Sequence, residues 1–410
     1  MRKTSSALLL AAVCGCSDGA QLTPPQAPAL SAAKGVSEPR YDITIIRSTL
    51  GGTQSRGNGI SNRGLVAGWS NFSNGTRHAA LWIRGEIEDL QTLGGPSSAV
   101  PWPGVNNNGM VVGLSHTAET DPLSEEWSCE AGGFLPATNP RRVCRAFAWF
   151  DGTMHKLPTF GGTHGFATGV NNVGQVVGWA ETTVHDPTCN HARGTGVQKL
   201  QFRAALWEPK KGTMRELHPY PGDSASAATA INERGQAVGI SGECDQAVGR
   251  FSARRAVLWE NGTVQKLPTL GGTSWHTPMD INERGDVVGF SNPPGDADLV
   301  GGFIANGFFW AKGSATVVRI RPLEGNLTSQ AMGINDRRQV VGVSFNGPPG
   351  VRAFLWENDT LMNLNDLADV KPNVLQSAQH INDAGEITGR ILIAATGEVL
   401  PFVATPRPRQ

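Results

Sequence analysis

Val170-Asn171-Asn172-Val173-Gly174-Gln175-Val176-Val177-Gly178 can fold in only a few ways. Asn171 can bond its own backbone and open a type I turn, and Gly174 supplies the left-handed residue of a bulged hairpin. The valine-rich flanks are therefore two strands. A second hairpin stands just before it, in Arg145-Ala146-Phe147-Ala148-Trp149-Phe150-Asp151-Gly152-Thr153-Met154-His155-Lys156-Leu157, where Asp-Gly parts two runs rich in apolar and aromatic residues.

Both halves recur. The first is marked by Gly64, Gly109, Gly174, Gly235, Gly285 and Gly385, with Arg338 standing in once, and by a second glycine at 68, 113, 178, 239, 289, 342 and 389. The second half is marked by Trp82, Trp149, Trp207, Trp259, Trp310 and Trp356. Consecutive second glycines lie 45 to 65 residues apart, a period typical of propeller blades. Each unit holds four strands of about five residues, too small a sheet to bury both faces alone, so neighbours must stack. A transmembrane barrel needs strands of roughly nine to eleven residues with a lipid-facing stripe, which these lack.

The ends of the repeat region separate a ring from a linear solenoid. The seventh unit has a first hairpin over 380–389 and a third strand over 398–405, then stops, whereas Tyr41 to Gly52 opens the region as an orphan fourth strand with its Leu-Gly-Gly exit. Strand exchange between the two closes a ring and leaves no free sheet edge. The expected fold is all-β, a seven-bladed β-propeller of four-stranded antiparallel blades over 40–406, closed by an N-terminal strand completing the last blade.

Asn-x-x-Gly-x-Val-Val-Gly, Arg-Ala-Phe-Leu-Trp and the Leu-Gly-Gly exits resemble the HAF family of bacterial extracellular repeats over roughly 41–405, with the eponymous tripeptide present as His78-Ala79-Ala80, Arg145-Ala146-Phe147 and Arg352-Ala353-Phe354. The resemblance implies an exported repeat protein and transfers no catalytic residue.

The N-terminus reads as an export signal over 1–15: Arg2 and Lys3 precede an apolar run, Ala7 to Val13, too short to span a bilayer. Val13-Cys14-Gly15-Cys16 resembles a lipobox, which would make Cys16 the lipidated first residue of the mature chain, on a flexible Ala/Pro/Ser-rich tether over 16–39. The expected location is the bacterial cell envelope, outer membrane or cell surface, with the lipid anchor as the only membrane contact. Balanced charge, 35 basic against 35 acidic residues, argues against nucleic acid as a partner, and a monomer is expected.

Export favours disulfides among Cys129, Cys144, Cys189 and Cys244. The first two bracket one insertion in blade two, while Cys189 and Cys244 fall in equivalent loops of blades three and four, so the expected bonds are 129 to 144 and 189 to 244. The long insertions, Ser115 to Val143, Ala180 to Gln201, Ser241 to Ala253 and Ser291 to Asn306, all join second to third strands and would emerge on one face. Such a face is the expected binding surface. Glu125, Glu126, Trp127 and Phe134 in the largest loop are its first candidates, for an unidentified protein or glycan.

No Gly-x-Ser-x-Gly elbow, phosphate loop or His-Glu-x-x-His is present, and no catalytic residue or cofactor is assigned. Asp296-Ala297-Asp298 begins like a calcium loop but lacks further oxygen ligands, and His116, His185 and His191 lack metal-ligand spacing, so no metal is expected. The recurrent Asn column reads as turn caps and the six blade Trp as inter-blade core. The expected function is therefore a non-enzymatic binding module. The alternatives are a hydrolase or lyase acting in the central channel and a purely structural envelope protein. Titratable side chains with displaced pKa in the channel would favour the enzyme, and absence of any concave polar pocket would favour the structural role.

Overall fold

The computed structural model describes residues 40–125, 129–130, 134–191, 198–245, 249–295, 304–347 and 350–408. Within it stand seven four-stranded antiparallel sheets. Six are consecutive in the chain, beginning with blade one at Ser55–Ile60, Val66–Asn71, Arg77–Ile83 and Glu86–Asp89. The seventh takes Val374–Ile381, Ile387–Leu392 and Val399–Pro406, and its fourth strand is Tyr41–Ile45, paired from Tyr41 with Pro406 to Ile45 with Phe402. The ring closes as the orphan strand requires. Among the described residues no helix is long and apolar enough to cross a membrane.

The repeated glycines have two different physical reasons. Gly174 sits at φ 84°, in the left-handed region that the turn demands. Gly239 is fixed by crowding: a Cβ there would lie 2.0 Å from the Ala227 carbonyl oxygen, beside the register shift between Ala228 and Ala230 on the innermost strand. Arg338 occupies a turn-glycine position at φ 61°, a costly conformation for a side chain. Its guanidinium pairs with the buried Asp286 of the preceding blade, Nε to Oδ2 at 2.8 Å, which anchors the turn.

Five of the six blade tryptophans are core, between 1% and 7% exposed. In three of them the indole N–H donates to a carbonyl of the connection that follows the fourth strand of the previous blade, at Ser48, Pro158 and His218. Trp149 differs, being only half-buried.

Both expected disulfides are present, Cys129 to Cys144 and Cys189 to Cys244. They point to an oxidising, extracytoplasmic environment. The insertions are less loop-like than expected. In blades two and three the second strands run on through Val111–Thr120 and Val176–His185, so each insertion begins as a ribbon continuing its blade.

Candidate active site

At the turn end of the innermost strands the repeat builds two concentric hydrogen-bond belts. The inner belt is the Asn column. Asn232 is typical: its Oδ1 accepts the backbone N–H groups of Arg234 and Gln236, and its Nδ2 donates to the Asn282 carbonyl of the next blade. The same amide-to-carbonyl step runs from Asn106 to Asn171, onward to Asn232, Asn282, Asn335 and Asn382, and from Asn382 to Ser61. These residues cap their own turns and also stitch blade to blade.

The second belt is one residue further on. Each backbone N–H donates to the side-chain oxygen at the same position in the next blade: Asn62 to Asn107, Asn107 to Asn172, Asn172 to Glu233, then Glu283, Asp336, Asp383 and back to Asn62. Four of the seven acceptors are carboxylates. They ring the mouth of an axial pocket of about 150 Å³, whose lining, among the described residues, includes these residues, Asp280 and His380 but no Lys or Arg. Burial, together with the neighbouring Glu233 and Asp336 carboxylates, raises the Glu283 pKa.

Below this mouth the repeat is broken. Two residues ahead of the turn cap, five blades carry Gly59, Gly104, Gly169, Ala230 and Gly333, while blades five and seven carry Asp280 and His380. Small residues at other positions let neighbouring blades approach closely, a Cβ at Gly333 falling 2.9 Å from the His380 Cα, and the two large polar ones meet beside blade six, His380 Nε2 lying 3.6 Å from Asp280 Oδ2. Asp280 is buried and accepts the N–H groups of Ile281 and Ile334. Burial raises its pKa, outweighing the favourable field of His380 and the two backbone donors. His380 is aimed by Ile60, whose carbonyl lies 3.0 Å and whose amide nitrogen lies 3.2 Å from Nδ1. Donation from Nδ1–H to that carbonyl leaves Nε2 facing a carboxyl whose protonated form burial favours.

The residues first picked from the sequence lie elsewhere. Glu126 and Trp127 are outside the described residues, as are Cys16, Asp296 and Asp298. Glu125 is not displayed on a binding face. It is 1% exposed, and its Oε1 accepts the N–H groups of Lys199 and Leu200, clasping the blade-two insertion to that of blade three. Burial and the nearby Glu181 push its pKa up to about 7. Phe134 is turned inward as well, packed on Trp102 and Phe166 at ring distances of 5.4 and 5.2 Å. His116 is fully buried, with Nε2 3.5 Å from Glu130, whereas His185 is exposed, and the side chain of His191 is not described.

No protein-family model and no curated protein matches the chain. Solved structures do match, and they are propellers. The β-propeller domain of the Trilobed protease from Pyrococcus furiosus is 9% identical at a TM-score of 0.40, over 67% of this chain and 78% of that one. Pyrococcus horikoshii acylaminoacyl peptidase is 9% identical at 0.47, over 88% and 52%, and Porphyromonas gingivalis dipeptidyl peptidase 4 is 10% identical at 0.39, over 82% and 48%. This chain thus spans about half the length of either peptidase. At such identities the likeness is one of fold and establishes no activity. The expectation of a non-enzymatic binding module is nevertheless withdrawn. Propellers of peptidases are among the matches, and of the surface candidates on which that expectation rested Glu125 is buried and Phe134 packs inward, while Glu126 and Trp127 lie outside the described residues.

Proposed function

We propose that the chain is an exported hydrolase or lyase that works in the axial pocket, with Asp280 and His380 as its acid and base. One observation carries this reading: at a repeat position held by Gly or Ala in five blades, the two exceptions are an acid and an imidazole that converge in the axial pocket. The other five blades fold with Gly or Ala at this position, so the blade itself demands neither side chain. The separation of 3.6 Å is too long for a direct hydrogen bond, as is common before substrate tightens a site. A lining with five carboxylates and no cationic side chain favours neutral or cationic polar substrates over anions. Membership of the HAF-like repeats, export through the N-terminal signal and anchoring through Cys16 belong to the same proposal, the signal and lipobox-like sequence supporting the last two.

The test is a turnover screen of the intact chain against nitrophenyl glycosides, esters and amides and against unsaturation-forming lyase substrates. Asp280→Asn and His380→Gln are each expected to reduce kcat by about 10² or more for any substrate found, the usual contribution of one general acid or base. Both variants should keep the far-ultraviolet spectrum of the wild type. Turnover unaffected by either change, or none across the panel, would count against the reading.

A further inference from the structure

Beside the axial mouth, on the same face, a groove of about 370 Å³ crosses the rim of blade two from blade one to blade three. Asn106 and Asn172 line both this groove and the axial pocket. The connection from the fourth strand of blade one, Glu86–Asp89, to blade two begins at Leu90-Gln91, where the matching residues elsewhere are Leu157-Pro158 and Leu217-His218. Gln91 stands at φ 65°, held there by its N–H bond to Asp89, and no indole bond like that of Trp207 to Pro158 or Trp259 to His218 is made by Trp149. Trp149 is left half-buried in the groove, while its five counterparts are core.

The groove combines two kinds of surface. Trp149, Leu65 and Met110 give it an apolar floor, and Ile83 and Val173, 42% and 72% exposed, flank it. Around these stand exposed polar side chains: the amide of Asn108, the carboxylates of Glu88 and Asp151, and the ammonium of Lys210. An aromatic face ringed by separate donors and acceptors suits a molecule with one apolar face and a hydroxylated edge. Two carboxylates against one ammonium disfavour an anion.

We propose that this groove binds a neutral sugar, with one pyranose ring against Trp149 and its hydroxyls on the polar rim. The inference concerns binding alone and does not rest on the chemistry of Asp280 and His380. It also lies on the face opposite the long insertions.

Saturation-transfer NMR on the intact chain with glucose, galactose, N-acetylglucosamine, cellobiose and lactose at millimolar concentration tests it. At least one of these sugars is expected to receive transfer. Val173→Arg, a change at an exposed turn that fills the groove without touching the core, should weaken it about tenfold or more, a loss of about 1.4 kcal/mol. Trp149→Ala should do the same, and its circular dichroism melt separates a lost contact from a lost fold. Absence of transfer to all five sugars would overturn the proposal, as would a bound sugar whose affinity Val173→Arg leaves unchanged.

Discussion

Deleting residues 41–45 is expected to cost on the order of 5 kcal/mol, as much as the whole stability of a marginal domain, whereas removing five residues anywhere between 17 and 39 should leave the melt unchanged. Tyr41–Ile45 is the strand of its sheet that comes from the other end of the chain, so it adds a covalent closure of the ring to the hydrogen bonds that blade seven makes with blade one. Without it Val399–Pro406 becomes a bare edge and loses its five-residue ladder. Tyr41, 2% exposed, is withdrawn from a cluster containing Leu364, Leu375, Phe402 and Ala404. Ile46, 4% exposed, loses the pull of its N–H bond to Pro401. Each ladder bond contributes about 1 kcal/mol net and the buried tyrosine another 2 to 3. Differential scanning calorimetry checks this. Equal melting of the two deletions would mean that the ring is not closed by this strand.

Replacing Cys189 and Cys244 together by Ser is expected to cost about 4 kcal/mol, because the bond closes 55 residues and joins consecutive blades. Both sulfurs are fully buried, and the Cys244 N–H is held by Thr188 and Ser224 side chains, so the link is part of the packing between blades three and four. The corresponding change at Cys129 and Cys144, a loop of 15 residues within one blade, should cost about 3 kcal/mol. Urea unfolding of both double variants, with the m-value constant, gives the comparison. A larger loss for the shorter loop would place the stabilisation in local packing instead of loop closure.

The blades were legible because each is specified locally: Asn171 and Gly174 dictate a turn, Asp151-Gly152 another, and the period of the repeat does the rest. Ring closure was legible from the unmatched strand at 41. The Asn column was legible as turn caps, but its second use was not, since the bond from Asn232 to Asn282 depends on how closely two blades approach. Trp149 shows the converse. Its repeat position matches that of buried counterparts, and nothing in the local sequence marks it as the half-buried one. Glu125 and Phe134 misled because loop position was equated with exposure, whereas this insertion folds back onto Phe166 and the chain at Lys199 and Leu200. Asp280 and His380 left one trace in the sequence, as the two residues that break a column of Gly and Ala. That column marks the inner wall only once strands have been placed around an axis. The pairing of blade five with blade seven is a property of the closed ring and has no signature in local spacing.

Carbon-13 NMR titration of the side-chain carboxyl of Asp280, assigned by its disappearance in Asp280→Asn, bears most directly on the axial acid and base. Burial beneath the mouth should hold its proton to a pH above the ordinary aspartate value of about 3.9. An Asp280 that titrates at the ordinary value would contradict its assignment as the acid of the pair.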